Sequence, residues 1–380
     1  MGLAIPDPQQ TTGTAGQNVP APPTPPAAEA AAPVSAPGPP SPYELAWTQA
    51  IETAESLEIA IAGTSVLVGG PRAIVEARAL ADGKIVWTSV VKSDARIESC
   101  DGVVFLVESG HLHAIDALTG RVRWTVATAD VSVGPACQSG TVVVPGGAEM
   151  RAYRATDGTE IWRRDVSAAA LAPAVIDNAT AFVPLSGGVL TAIDLQTGAV
   201  KWRTVPGVSL GPLAAANGRV YFGNADGQAC AVTQQKGKID DGGWCYNVRA
   251  PIAGAPVADS RFVYFAALDN TIRAFDRHSG DQRRATSLTS RPESGPRLAG
   301  KYLLVPLFTS EYALYDVASG KLEARLTPPV TGAPVLQASA ASLDGAHLVA
   351  LMVSTGGTRT LIAFRRPQPK AEGKTPTDRP

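Results

Sequence analysis

The stretch HAIDALTGRVRW, residues 113 to 124, reads as a short strand, a tight turn at Thr119-Gly120 and a second strand ending on Trp124. Residues 190 to 202, LTAIDLQTGAVKW, repeat it almost word for word, and fainter copies follow the same plan. The turn glycine marks seven of them: Gly83, Gly120, Gly158, Gly198, Gly237, Gly280 and Gly320, with successive steps of 37, 38, 40, 39, 43 and 40 residues. A period near forty is the size of one four-stranded propeller blade.

Other residues keep register with the marker. Trp stands four positions after it at Trp87, Trp124, Trp162 and Trp202, and Ala six positions before it at Ala77, Ala114, Ala152, Ala192, Ala231 and Ala274. Asp stands four before it at Asp116, Asp194, Asp276 and Asp316. Gly supplies the positive φ of a tight hairpin, Asp accepts hydrogen bonds from the loop N–H groups, and Ala leaves room for close approach of sheets. Trp offers a large apolar plate to fill the gap between one blade and the next. In the fifth copy the aromatic arrives three residues late, at Trp244, with Cys230 and Cys245 bracketing the enlarged loop. Copies six and seven carry Arg284 and Ala324 in place of Trp, so their contacts must be packed differently.

Seven markers imply eight blades. After Gly320 the chain supplies three more strands, the last containing Ala363 and Phe364, but no Trp strand follows. Near the front, YELAWTQA holds Trp47 without a preceding turn. A ring closed by its own termini accounts for both, and full closure removes the exposed sheet edges that invite aggregation. The expected fold is all-β: an eight-bladed β-propeller of four-stranded antiparallel blades over residues 43–366, closed by pairing the Trp47 strand with the last blade.

Composition agrees with β structure. Of 380 residues 45% are apolar, enough for a substantial core, while 37 Gly and 31 Pro imply many turns and few long helices. The 33 basic and 34 acidic residues nearly cancel, which removes the broad positive field that nucleic acid or anionic lipid would require. No run of apolar residues is long enough for a transmembrane helix. Residues 1–42 hold 12 of the 31 Pro and almost no large apolar side chain, so a disordered Pro/Ala-rich tether is expected there, and a disordered polar tail over 367–380. The opening MGLAIPDPQQ lacks the basic end and apolar core of a secretion signal, which leaves two expectations open: a cytoplasmic protein, or a numbering that begins downstream of a signal.

The motif A-x-D-x-x-T-G-x-x-x-W, at Ala114 and again at Ala192, resembles the repeat of the pyrroloquinoline-quinone (PQQ) propeller family. Within it, an eight-bladed domain without appended modules is most similar to the BamB type. That resemblance implies a non-enzymatic protein-interaction scaffold of the bacterial envelope, in the periplasm or on the periplasmic face of the outer membrane, with an outer-membrane β-barrel assembly complex as partner and no cofactor. The same family implies two alternatives: a quinoprotein dehydrogenase carrying PQQ, a calcium ion and a catalytic carboxylate, or the ligand-binding propeller of another envelope system. A monomer is expected.

No residue is assigned a catalytic, cofactor-binding or metal-binding role. Cys230 and Cys245 flank one loop and are the candidate disulfide, worth roughly 3 kcal/mol on the loop-entropy argument and pointing to an oxidising compartment. Cys100 and Cys137 fall at near-equivalent places on neighbouring inner strands and are the less expected pair, because Cα atoms more than about 7 Å apart cannot be bridged. His111 and His113 share one face of a strand but lack a third metal ligand. The recurring Asp residues are turn caps, and Asp240-Asp241-Gly242-Gly243 lacks the further acidic positions of a calcium loop.

Overall fold

The computed structural model describes residues 41–52, 57–128, 131, 133–330, 335–342, 344–354 and 356–367. The tether expected over 1–42 and the tail over 367–380 fall almost entirely outside the described residues. Among the described residues thirty-two strands form eight four-stranded antiparallel sheets. The second sheet is typical: Glu98–Cys100 pairs with Val103–Glu108, then His111–Asp116, then Val122–Ala127. We number the blades 1 to 8 in chain order from Glu58–Ala62, the innermost strand of blade 1. Each innermost strand touches that of the next blade all the way round, and the last, Val335–Ala341, returns to the first, Glu58–Ala62.

Blade 8 takes its outer strand from the other end of the chain. Glu44–Ile51 pairs antiparallel with Arg359–Arg365, setting Leu45 opposite Phe364 and Trp47 opposite Ala363. This is the register in which Trp124 faces Ala114 and Trp162 faces Ala152. The eight-bladed ring read from the sequence is therefore the fold.

Strand burial follows from the stacking of blades. Second strands such as Val103–Glu108 and Thr180–Leu185 are apolar except at one end and lie between sheets on both faces, whereas the outer strands alternate more and less buried side chains. Accordingly the apolar core consists of eight clusters, one in each gap between consecutive blades.

Six of the gaps are locked by an indole on the next blade's turn. The indole N–H donates to the carbonyl three residues before the marker glycine: Trp47 to Leu80 at 2.9 Å, Trp87 to Ala117 at 2.9 Å, Trp124 to Ala155 at 3.0 Å, Trp162 to Leu195 at 2.8 Å, Trp202 to Gln234 at 2.7 Å and Trp244 to Arg277 at 3.2 Å. The ring lies so close to the glycine that a Cβ on Gly198 would come within 2.6 Å of the Trp162 indole. Arg284 performs the same task in blade 6, donating to the carbonyls of Val317 and Ala318 and covering Gly320. In the last gap Ala324 is joined in the core by Tyr43, Tyr302 and Phe364, and the Tyr43 hydroxyl donates to the Gly345 carbonyl at 2.6 Å. In blade 5 the three extra loop residues bring Trp244 back opposite Ala231, so the register survives the insertion.

Candidate interaction site

The ring has two faces. One carries the marker turns, where Asp116 Oδ1 accepts hydrogen bonds from the Leu118 and Thr119 N–H groups and the Thr119 hydroxyl, and Asp194 does likewise for Gln196 and Thr197. Arg123 and these Thr119 donors hold the Asp116 carboxyl well below the usual carboxylate range. Thr159 and Arg154 lower Asp157 to about 2. These carboxylates are committed to their turns.

The other face carries the segments that cross from each outer strand to the next inner one. They enter the inner strands through Pro135, Pro173, Pro212, Pro256 and Pro296, spaced by 38, 39, 44 and 40 residues, a recurrence masked in the sequence by the stronger glycine signal. Proline blunts the inner edge facing the channel by removing N–H donors. Glycines let the crossings pack backbone to backbone: a Cβ on Gly134 would lie 2.6 Å from the Arg96 carbonyl oxygen, one on Gly254 would run into the Gly295 nitrogen, and one on Gly295 into the Ala255 carbonyl oxygen. Crossings at blades 4, 6 and 7 also bridge the strands beneath them, as Ala170 does to Leu185 and Pro292 to Leu307.

On this frame the channel mouth carries a mixed-charge cleft of about 330 Å³, lined among others by Glu58, Arg96, Glu293, Ser294 and Arg297. Arg96 pairs with Glu58 at 3.5 Å. The Arg297 guanidinium is reachable by water yet surrounded by protein, as befits a narrow channel; this enclosure pushes its pKa down, opposed by Tyr312 and aided by the like charge of Arg96. Enclosure likewise raises the Glu293 and Glu98 carboxyls, opposed by Arg291 and Arg96 respectively. Glu293 Oε2 is buried without a hydrogen-bond partner. Around the mouth the same face exposes Leu171, Val205 and Phe308, with Arg291 over the Phe308 ring. Charge, polarity and apolar anchors on a fixed frame suit recognition of a macromolecule.

The other residues singled out in the sequence are occupied locally. His111 Nδ1 lies 3.0 Å from the Ser109 carbonyl and His113 Nδ1 3.0 Å from the Thr125 hydroxyl. Burial lowers the His113 pKa, opposed by Glu108 and aided by His111. Asp241 pairs with Lys236 at 2.9 Å. Among the described residues no three His, Cys, Asp or Glu side chains converge as a metal ion would require. Cys230 and Cys245 stand directly opposite on paired strands, Cα atoms 4.1 Å apart, and are bonded. The expectation for Cys100 and Cys137 is corrected: their Cα atoms are 6.0 Å apart and they too are bonded, because inner strands converge toward the axis, where neighbouring blades come nearest.

Known proteins share this repeat and this ring. The family model described as outer membrane protein assembly factor BamB matches residues 43–144, 71–207, 108–321 and 188–370. The outer membrane protein assembly factor BamB of Bordetella pertussis is 28% identical over 309 residues, covering 74% of this chain and 78% of that protein. The crystal structure of BamB from Moraxella catarrhalis superposes with a TM-score of 0.60 at 18% identity, over 84% of this chain and 97% of that one. The quinohemoprotein alcohol dehydrogenase ADHIIG from Pseudomonas putida HK5 shares the fold with a TM-score of 0.62 at 15% identity, over 90% of this chain and 78% of that one.

Proposed function

The chain belongs to the family of outer membrane protein assembly factor BamB, and on that premise we propose that it is a non-enzymatic protein-interaction scaffold of the bacterial envelope. Its place is the periplasm or the periplasmic face of the outer membrane, and its partner is an outer-membrane β-barrel assembly complex. The observation that carries this reading is the family match running through every blade, from residue 43 to residue 370. Support comes from the rigidity of the frame: eight gaps are each filled by their own core, so loops on the crossing face hold fixed relative positions. Preorganised loops lose little freedom on binding, which is how a modest surface reaches useful affinity. Two disulfides fit an oxidising compartment.

The test is affinity capture of the tagged full chain from native outer membranes. Recovery of an assembly barrel is expected; its absence under conditions that retain other envelope complexes overturns the reading. A second reading, a PQQ-dependent dehydrogenase, is favoured by the shared fold with the Pseudomonas putida alcohol dehydrogenase. Incubation with PQQ and calcium separates the two, because a stoichiometric complex that reduces an electron-accepting dye belongs only to the enzyme.

A further inference from the structure

A larger cleft, of about 570 Å³, opens between blade 8 and blade 1, at the seam where the two ends of the chain meet. Its floor is apolar, made by Ile51 of the closing strand with Leu57 and Val68 of blade 1. At its rim Ile74 is 48% exposed and Ile85 52% exposed. The outer strand of blade 1, Ile85–Ser93, is nine residues long, and its pairing breaks between Ile74 and Glu76, so that Ser89, Val90 and Val91 bulge past Val75 alone. The Ser89 hydroxyl closes the bulge, donating to the Val91 carbonyl at 2.7 Å and accepting from the Val91 N–H at 2.9 Å. Val90 is thereby held 90% exposed. A bulge of this kind also twists an edge away from strand addition, so recognition here falls to side chains.

The cleft is positively biased. Arg78 is tied to Glu76 at 2.8 Å, but the Arg72 guanidinium and Lys92 ammonium, both lining the cleft, form no ion pair among the described residues, leaving Glu52 as the remaining carboxylate. Arg72 adopts φ 67° on its turn, where the equivalent turns of other blades put Gly110, Gly147, Gly188, Gly227, Asn270 or Ser310 in the left-handed region. Its backbone N–H is bonded to the Ser93 carbonyl, which fixes the turn against the end of the outer strand. A cation thus occupies a backbone conformation that glycine would fill with less strain.

We propose that this seam cleft binds an extended, apolar segment of another protein that carries acidic side chains: the apolar positions seat on Ile51, Leu57, Ile74 and Ile85, and a carboxylate pairs with Arg72 and Lys92. The inference deepens the scaffold reading and rests on it for the ligand being a polypeptide. Its test is fluorescence anisotropy at low ionic strength with a labelled peptide of alternating valine and aspartate and a twin carrying lysine for aspartate. The aspartate peptide binds about tenfold tighter than its twin, and the difference shrinks as salt is added. The double variant Arg72→Gly, Lys92→Ser weakens the aspartate peptide by about tenfold and leaves the twin unaffected or slightly favoured, while Ile74→Ser weakens both. All three side chains are solvent-exposed, and a thermal melt run alongside shows whether each variant stays folded; Ile85→Ser at the rim is the second apolar variant should Ile74→Ser lower the melt. Equal affinity for the two peptides, no binding of either, or indifference to the double variant overturns the proposal. A chain that captures an assembly barrel but fails these titrations loses the cleft and keeps the scaffold. One that selects the aspartate peptide but captures nothing keeps the cleft and loses the envelope role.

Discussion

A marker glycine is required twice over. Gly198 has φ 68°, which side chains with a Cβ rarely adopt, and the Trp162 ring fills the space a Cβ would need. Gly140 has φ 75° with nothing within 4 Å of where a Cβ would stand, so it carries the first requirement alone. Comparing the two isolates the indole contact. Gly140→Ala should cost about 1–2 kcal/mol from the left-handed backbone, and Gly198→Ala about 2 kcal/mol more, because the buried indole must shift and its bond to the Leu195 carbonyl is lost. Urea denaturation followed by Trp fluorescence checks the difference, and equal losses would mean that the indole adapts freely. The same contact explains why Arg284 can stand where Trp is expected: both side chains present a flat face to the glycine and an N–H donor to the carbonyl beside it.

At the scale of elements, each turn and each pair of strands has its own tie. The Asp116 carboxyl is lowered in the folded chain, so its contribution is fully present above the unfolded carboxylate pKa of about 4 and is lost as pH falls through the lower folded value. Asp116→Asn should therefore reduce the urea midpoint at pH 7, and the gap to the unaltered chain should narrow as the pH is taken from 5 to about 2.5. A gap independent of pH would show that the side chain acts by shape alone. The cysteines work at this scale too. The Cys230–Cys245 bond closes a loop of 15 residues within blade 5 and Cys100–Cys137 one of 37 between blades 2 and 3. Their loop entropies correspond to roughly 3 and 4 kcal/mol. Next to the second bond the Gly140 N–H donates to the Asp101 carboxylate at 2.8 Å, a further tie between the same two blades.

For the whole molecule, closure decides whether the blades act together. Strand Glu44–Ile51 is held by antiparallel pairing to Arg359–Arg365, by Trp47 on Gly83 and by Arg365 paired with Glu44 at 2.8 Å. Deleting residues 1–52 uncovers the edge of Arg359–Arg365 and the side chains of Leu361 and Ala363, which are fully buried in the ring. Size-exclusion chromatography with light scattering should show strand-swapped dimers or aggregates in place of the species formed by the full chain, and the urea midpoint should fall. Trp47→Ala, which keeps the strand but empties the plate, should cost about 3–5 kcal/mol. A truncated chain as stable and as dispersed as the full one would mean that closure carries no energy.

The repeat by itself determined most of this architecture, because each blade restates the same local chemistry: positive φ at Gly120, a capping Asp116, a small Ala114 and a large Trp124 in fixed register. The orphan Trp47 at one end and the missing outer strand after Phe364 at the other carried even the closure. Two features lay beyond its reach. The Cys100–Cys137 bond depends on how near the inner strands come at the axis, and the charges of Arg96, Glu293 and Arg297 meet only because separate blades converge on one channel mouth. The seam cleft of Arg72, Ile74 and Lys92 is likewise a product of assembly, since one wall is the closing strand, which ring closure places in blade 8, and the other is blade 1. Periodicity encodes contacts that recur between neighbours, while a site made once, by residues outside the repeat's register, exists only after the ring has brought them together.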